Sequence, residues 1–365
     1  MAEQTEQKQT RIAWLRWIWK TGLLALLILF VGLGVSINQN SRANKKLESI
    51  EEAESYGELG FGLGLIPPTW EGRLRDKFGH ARINSLYKIT GVSFQNSSFK
   101  DADLDVLKEL KYLKELEFDG SVVSNASLIH LKGLTNLKRL NLYWTDVDDH
   151  GLIHLKYVPY LESLNLSETQ VTDAGLSHLK ALMKLRVLNL NDTKVSDAGL
   201  IHLKVLTNLE NLNFNFTQVS NTGLIYLKEA KKLKSLSLCE CRVSDVGLSY
   251  LKGHAKLREL DLSHTKVSDA GLNYLKGLTS LENLDLSGTK VSDAGLIHLK
   301  RLTNLTEVNL EMTGISDAGL DHLKRLTKLK KLHLRRTQVT AAGVAKLQSA
   351  LSNCQIKHTY VFPDI

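Results

Sequence analysis

The chain has 365 residues, 43% of them hydrophobic, a net charge of +8 and three cysteines. Its length alone would suggest two globular domains. The few cysteines exclude a disulfide framework, and no zinc-binding spacing is visible. Cys239 and Cys241 lie two positions apart on a predicted strand and would point to opposite faces, so they are poor disulfide partners. We expect Cys241 to be buried.

The predicted elements, taken in chain order, begin with an uncharged apolar stretch. Residues 21–37 contain no charged side chain, and with their flanks they reach the roughly 20 residues that span a bilayer as a helix. Interfacial-type aromatic residues precede this stretch, namely Trp14, Trp17 and Trp19. We predict an uncleaved transmembrane helix over residues 21–38, and a signal peptide cleaved near Gly34 or Ser36 is the alternative.

Basic residues flank the predicted helix on both sides, with a small excess before it. They are Lys8, Arg11, Arg16 and Lys20 before it, and Arg42, Lys45 and Lys46 after it. The positive-inside rule therefore places residues 1–20 in the cytoplasm and the rest outside, in a cell envelope or periplasm. Residues 39–66 are polar and then glycine-rich, as in a linker. Residues 67–88 are predicted to cap the domain, with a helix that begins at Thr69 and carries Trp70, Leu74 and Phe78 on one stripe.

An internal repeat occupies most of the remaining chain. The phrase VSDAGLIHLK stands at residues 195–204 and again at 291–300, and this offset of 96 residues equals 4 × 24. Altered copies recur every 24 residues without insertions, from Phe99 to Val339. Between the phrases runs L-x-x-L-x-L-x-x-T, as in LENLDLSGT from Leu281. The unbroken period predicts one elongated repeat domain rather than two globular domains.

This pattern resembles the leucine-rich repeat, L-x-x-L-x-L-x-x-N/C-x-L with a period of about 20–29 residues. It is similar to the bacterial membrane-anchored repeats and to the cysteine-containing type that often accompanies an F-box. No F-box is present, so the ubiquitin-ligase role does not carry over. The predicted fold class is an α/β leucine-rich-repeat solenoid, with parallel strands on the concave face, short helices on the convex face and the N-terminal transmembrane helix. Repeats are assigned to residues 89–346 and a C-terminal cap to residues 347–365, with Leu347, Leu351, Ile356, Tyr360 and Phe362 closing the end.

Three polar or small columns recur within the repeat. Aspartates such as Asp173 and Asp245 stand where a carboxylate can cap free N–H groups at a helix start. Glycines from Gly151 to Gly343 form a second column, where we expect the helix start to crowd the next coil. Threonines such as Thr265 replace the family's Asn or Cys, and their hydroxyl should hydrogen-bond the backbone of the turn that leaves the strand. Ser121 and Cys241 are exceptions in this column.

No catalytic or metal-binding constellation emerges from the histidines or cysteines. Six histidines share one outer column with tyrosines, which favours packing over metal ligation; they are His130, His154, His178, His202, His298 and His322. Cys354 and His358 form the nearest candidate nucleophile pair, without a third group. Lysines such as Lys204 form an outer column that suits helix C-termini. We predict no enzymatic activity, no metal, no cofactor and no nucleic-acid partner.

The irregular positions lie on the predicted concave face, where a binding site is expected. The candidate ligand-binding residues are Arg139, Asn141, Tyr143, Trp144, Asn165, Asn189, Asn213, Phe216, Glu259, Asp261, Asp285, Glu307, Asn309, Glu311, His333 and Arg335. Neighbouring asparagines could instead hydrogen-bond to one another along the sheet. Glu259 to Glu311 form a predicted acidic zone and Lys331 to Arg336 a basic end, while the exposed aromatic pair Tyr143 and Trp144 is typical of an interface anchor.

The resemblance implies a binding protein, so we predict protein or peptide recognition by the concave face of a membrane-anchored protein. A structural or spacer role in the cell envelope without a dedicated ligand is the alternative. The ligand and the oligomeric state do not follow from the sequence.

Overall fold

The computed structural model describes residues 90–94, 104, 107, 108 and 110–358. Within them, one sheet of 12 parallel strands follows the order of the chain. The strands are β1 (Gly91–Ser93), β2 (Glu115–Glu117), β3 (Arg139–Asn141), β4 (Ser163–Asn165), β5 (Val187–Asn189), β6 (Asn211–Asn213), β7 (Ser235–Ser237), β8 (Glu259–Asp261), β9 (Asn283–Asp285), β10 (Glu307–Asn309), β11 (Lys331–His333) and β12 (Gln355–Lys357). The parallel sheet confirms the strand half of the predicted fold.

Short helices follow the strands on the opposite side of the sheet. The α-helices are α1 (Asp149–Leu152), α2 (Asp173–Leu176), α3 (Asp197–Leu200), α4 (Asp245–Leu248), α5 (Asp269–Leu272), α6 (Asp293–Leu296), α7 (Asp317–Leu320) and α8 (Ala341–Ala350). The 3-10 helices are Ala126–Leu131, Ile153–Tyr157, Ser177–Ala181, Ile201–Val205, Gly223–Leu227, Ser249–Leu251, Leu275–Gly277 and Leu299–Arg301. A strand, a turn and a short helix thus make each 24-residue coil.

The core lies between the sheet and the helices as a stack of leucines. Neighbouring strands pair at an offset of 24 residues, so Leu140 stands beside Leu164. The strands from β1 to β11 bury their central residue and leave the two flanking side chains on the other face. Leu152 and Leu155 close the core from the helix side and are fully buried. Since burying one leucine contributes about 1.5–3 kcal/mol and each coil is too small to do so alone, stacking holds the domain together.

The threonine column makes the hydrogen bond predicted for it. The Thr265 hydroxyl donates to the carbonyl oxygen of Leu262 at 2.6 Å, and the equivalent bond recurs along the column. Cys241 is buried, as predicted, but its thiol donates to the carbonyl oxygen of Phe214 in the preceding coil at 3.0 Å. Each threonine hydroxyl therefore closes the turn of its own coil, whereas the Cys241 thiol bonds to the preceding coil.

The aspartates at the helix starts accept backbone N–H groups, but those of the neighbouring coil rather than those of their own helix. Asp173 Oδ1 accepts from the backbone N–H of Ser196 at 2.7 Å, and Oδ2 accepts from the Ser196 hydroxyl at 2.6 Å. The cap of α3 is Ser196, whose hydroxyl accepts from the N–H of Ala198. Because the aspartate is the first helical residue and not the cap, its carboxylate reaches the following coil. We call this series of bonds the aspartate ladder.

The glycine column is crowded by the aspartate ladder. A Cβ atom on Gly271 would overlap with Oδ1 of Asp245 and lie 3.2 Å from the Asp245 Cα atom. The predicted close approach is therefore confirmed, although the coil involved is the preceding one rather than the next. A side chain at this column would displace the carboxylate that bonds the two coils.

The C-terminal end is closed by α8 and β12. Leu347 and Leu351 are buried and Ile356 packs against the core, as predicted, whereas Tyr360 and Phe362 lie outside the described residues. No helix among the described residues is long and apolar enough to cross a membrane. The predicted transmembrane helix over residues 21–38 lies outside them, as do the cytoplasmic segment, the linker and the N-terminal cap.

Candidate functional site

The candidate ligand-binding residues lie on the sheet face that the helices leave uncovered, which we call the exposed sheet face. First strand positions hold Arg139, Glu259 and Glu307; third positions hold Asn141, Asn165, Asn189, Asn213, Asp261, Asp285, Asn309 and His333; later positions hold Tyr143, Trp144, Phe216, Glu311 and Arg335. All of them are half-buried or exposed. The repeat therefore brings residues far apart in sequence onto one continuous surface.

The asparagines of the third strand position serve the backbone more than one another. Asn213 Oδ1 accepts from the N–H of Asn215 at 2.8 Å, and Asn141, Asn165 and Asn189 repeat this bond two residues ahead. Bonding along the sheet, the alternative expected for them, occurs where Asn309 Nδ2 donates to Asp285 Oδ2 at 2.8 Å. The amides thus fix the chain where each strand ends, which limits their freedom to bind a ligand.

Asp261 and Asp285 replace asparagine in this column and add charge to the face. They are register partners on adjacent strands. Each accepts the N–H and the hydroxyl of its own serine through Oδ1, at 2.9 and 2.6 Å for Asp261 and Ser263. Burial raises the pKa of the Asp261 carboxyl above its ordinary value, although the Ser263 hydrogen bonds oppose this. Among the described residues, no Lys, Arg or His forms an ion pair with Asp261, Asp285 or Glu259.

The residues immediately before the strands form a row, which we call the leading row, in which each of the three carboxylates has a basic partner. Its members with charge are Lys114, Lys138, Glu162, Arg186, Glu210, Lys234, Arg258, Glu282 and Lys330. Glu210 bridges Arg186 at 2.9 Å and Lys234 at 2.7 Å. The Arg186 hydrogen bonds are the main reason that the pKa of Glu210 falls from 4.5 to about 2. Lys138 with Glu162 and Arg258 with Glu282 form similar pairs.

The predicted acidic zone and basic end merge at the C-terminal strands. His333 lies 3.3 Å from Glu307 and 3.6 Å from Glu311, and the same carboxylates contact Lys331 and Arg335. At the other end Arg139 pairs with Glu115. The acidic zone that lacks basic partners is therefore shorter than predicted and reduces to Glu259, Asp261 and Asp285.

A second row lies three residues beyond each strand, where the backbone is left-handed; we call it the trailing row. Non-glycine residues with φ between 51° and 58° occupy it, namely Trp144, Glu168, Asp192, Phe216, Glu240, His264, Met312 and Arg336. Gly120 and Gly288 fill the same column with φ of 63° and 65°. Sequence reasoning identified Trp144 and Phe216 as surface residues but missed the row, although glycine at two of its positions was a signal of its conformation.

Trailing-row side chains touch along the row. The ring nitrogen Nδ1 of His264 lies 4.0 Å from a Glu240 carboxylate oxygen, and a Cβ on Gly288 would meet the His264 ring. Arg336 Nη1 approaches Met312 Sδ at 3.9 Å. The row thus forms a ridge along the edge of the exposed sheet face, which glycine interrupts at two positions.

The cysteines and histidines of the described part of the chain offer no activated nucleophile. Burial raises the pKa of the Cys354 thiol to about 11, so this group stays protonated at neutral pH. His358 Nε2 lies 2.7 Å from the carbonyl oxygen of Val339. In the outer column, burial followed by the nearby Lys156 lowers the pKa of His154. No group of His, Cys, Asp or Glu within the described residues could hold a metal ion.

Comparison with known proteins agrees with the architecture. Family models described as leucine-rich repeats match residues 231–291 and, separately, residues 159–180, 181–204, 301–323 and 325–347. A crystal structure of an internalin from Listeria monocytogenes is similar with a TM-score of 0.54 at 20% identity, covering 78% of this chain and 89% of that one.

A second internalin from the same organism has a TM-score of 0.46 at 26% identity, covering 58% of this chain and 84% of that one. No curated protein matches the chain. The matched repeats, the 24-residue strand register and the 12-stranded parallel sheet together show that this chain contains leucine-rich repeats.

Proposed function

We propose that this protein binds a protein or peptide ligand on its exposed sheet face and catalyses no reaction. The observation that carries the proposal is the contrast between carboxylates with and without an ion-pair partner on one surface. All three carboxylates of the leading row form ion pairs, whereas Glu259, Asp261 and Asp285 have no basic partner among the described residues. Carboxylates without an ion-pair partner on an uncovered face favour interaction with a complementary basic molecule.

The chemistry of the face also favours a protein over a nucleic acid. Carboxylates at Asp261 and Asp285 would repel phosphate groups, which dominate nucleic-acid binding. Exposed Trp144 and Phe216 supply apolar area of the kind that anchors protein interfaces. The internalin likeness supports the scaffold alone, and the ligand assignment depends on the residues of this chain.

The proposal includes membrane anchorage through residues 21–38, with the repeats on the extracytoplasmic side of a cell envelope. Its support is the uncharged stretch with its flanking tryptophans and basic residues. Deleting residues 1–38 should move the protein from the membrane fraction to the soluble fraction. A mature protein that begins near Ile37 would show cleavage and overturn the anchor.

The test of binding is crosslinking and purification of the full chain from its native cells, with three matched proteins. One is wild type, one carries Asp261→Lys and Asp285→Lys, and the control carries Lys204→Gln and Lys228→Gln on the helix side. A specific ligand should be retained by wild type and control and lost by the sheet-face variant. If all three proteins retain the same molecules, the exposed sheet face is not the binding surface and a spacer role is favoured.

A further inference from the structure

The part of the trailing row between Trp144 and Phe216 carries large apolar groups at its ends and acids between them. Trp144 is 61% exposed and Phe216 is 56% exposed. Glu168 and Asp192 occupy the two intervening coils and have no ion-pair partner within the described part of the chain. The sequence of side chains along this ridge is therefore aromatic, acidic, acidic, aromatic.

These four positions are held at a regular spacing by main-chain hydrogen bonds. The N–H of Trp144 donates to the carbonyl oxygen of Ser167 at 3.0 Å, and the N–H of Phe216 donates to that of Cys239 at 2.9 Å. Glu168 and Asp192 make the same bond to their following coils at 2.9 Å. The sheet ladder thus continues past the strands, and one side chain is presented per coil, about 4.8 Å apart.

We propose that this ridge docks one α-helix of a partner protein, which presents two apolar side chains about ten residues apart with Lys or Arg between them. The inference rests on the proposed protein-binding function and names the chemistry of the partner. The acidic pair selects basic side chains by charge complementarity. The two aromatic rings would pack against the apolar side chains and exclude water around the ion pairs.

The spacing of the ridge selects a helix. Three coil steps of about 4.8 Å separate Trp144 from Phe216 by roughly 14 Å. A helix rises 1.5 Å per residue, so its residues i and i+10 lie about 15 Å apart, with i+3 and i+7 between them on the same side. Each coil then meets one side chain of the helix. In an extended strand, side chains on the same face lie about 6.7 Å apart, so they would not match the spacing of about 4.8 Å between the four positions.

The rest of the trailing row is less suited to this partner. Glu240 lies beside His264, and Met312 is covered in part by Arg336. These side chains already have neighbours of their own, so the docking segment ends near Phe216. The four positions span a length that a single helix of about three to four turns can cover.

The test uses the full chain and a fluorescent helical peptide as the probe. The parent peptide carries Leu at positions i and i+10 and Lys at i+3 and i+7 on an alanine background, with side-chain lactams that hold the helix. One comparison peptide replaces Lys by Glu and another replaces Leu by Ser. Fluorescence anisotropy should show that the parent binds at least about tenfold more tightly than either, the size expected for losing an anchor or reversing a charge pair.

Variants of the protein locate the bound peptide. Trp144→Gly with Phe216→Gly should weaken parent binding about tenfold or more, and glycine suits the left-handed backbone at both sites, so unfolding would not explain the loss. Glu168→Lys with Asp192→Lys should reverse the preference toward the Glu peptide. The matched control is Ile201→Ser with Ile225→Ser, which changes exposed apolar residues on the helix side and should leave binding unchanged.

Absence of parent binding, equal binding of the three peptides, or equal loss in the control would overturn the helix proposal. The purification experiment separates this failure from that of the broader function. If a ligand is lost with Asp261→Lys and Asp285→Lys but retained by the Trp144 and Phe216 variant, the exposed sheet face binds and the ridge does not. If neither variant loses the ligand, both proposals fail.

Discussion

A single threonine hydroxyl stabilises the turn that follows a strand in most coils. Thr265 is buried and its hydroxyl donates to the Leu262 carbonyl at 2.6 Å. Thr265→Val keeps the shape but leaves this carbonyl without its hydroxyl donor, so we expect a loss of about 1–3 kcal/mol in the free energy of unfolding. Thr265→Asn should be tolerated better, because Asn fills this position in the family pattern. Urea denaturation measures both variants, and a Val variant as stable as wild type would refute the bond.

The left-handed backbone of the trailing row predicts that Phe216→Gly raises the stability of the fold and weakens binding. Phe216 has a φ of 56°, a region that costs a side-chain-bearing residue about 1–2 kcal/mol. Phe216→Gly should therefore raise the free energy of unfolding by up to about 1 kcal/mol after the added chain entropy is offset, while it removes an anchor. Phe216→Ala keeps the backbone cost and serves as the control. A Gly variant less stable than the Ala variant in urea denaturation would contradict this account.

The contacts between coils depend on the aspartate ladder and the glycine that accommodates it. Gly271→Ala would press its Cβ against the Asp245 carboxylate that binds Ser268. We expect a loss of about 1–3 kcal/mol from the broken hydrogen bonds, and a smaller loss when Asp245→Ala is already present, since the two residues are in contact.

The matched control for this cycle is Gly277→Ala. A Cβ on Gly277 would meet nothing within 4 Å, so its replacement should change the unfolding free energy little. Strictly additive losses for Gly271→Ala and Asp245→Ala would show that the glycine is not kept for the ladder.

The ion pairs of Glu210 in the leading row predict that the free energy of unfolding depends on pH. Glu210→Gln should remove this dependence. The pKa of Glu210 falls from 4.5 to about 2 because Arg186 and Lys234 stabilise its charged form. A depressed folded-state pKa contributes stability above the ordinary value, and this contribution is lost as pH falls from 4.5 toward 2. Wild type should therefore be more stable than Glu210→Gln at pH 7 and approach it near pH 2. Urea denaturation across this range, with Glu229→Gln as an exposed control, would detect the convergence; a constant difference would contradict the linkage.

At the scale of the whole molecule, periodicity was enough to predict the solenoid. Leucines at two strand positions and on the helices repeat every 24 residues, so one coil predicts all the others. The turn hydroxyl of Thr265 and the crowding at Gly271 also follow from the repeat. The aspartate ladder did not, because Asp173 fits a helix start by spacing, and only the geometry shows that Ser196 takes the cap.

The sequence predicted which residues lie on the exposed sheet face but not how their side chains are arranged there. Sequence placed Trp144, Asp261 and Asp285 on one surface, yet their neighbours decide which charges remain unpaired. A 24-residue offset could have suggested the Arg186, Glu210 and Lys234 bridge, since residues one period apart are adjacent. The left-handed backbone of the trailing row depends on turn geometry, which charge and hydropathy patterns do not encode.

The most direct test of the central claim is carboxylate footprinting of the full chain with and without its purified ligand. Carbodiimide labelling followed by mass spectrometry reports the accessibility of each carboxylate. Binding to the exposed sheet face should protect Glu259, Asp261 and Asp285 several-fold and leave Asp321 and Glu229 on the helix side unchanged. Protection of Asp321 and Glu229, with unchanged labelling of the three sheet-face carboxylates, would contradict the account.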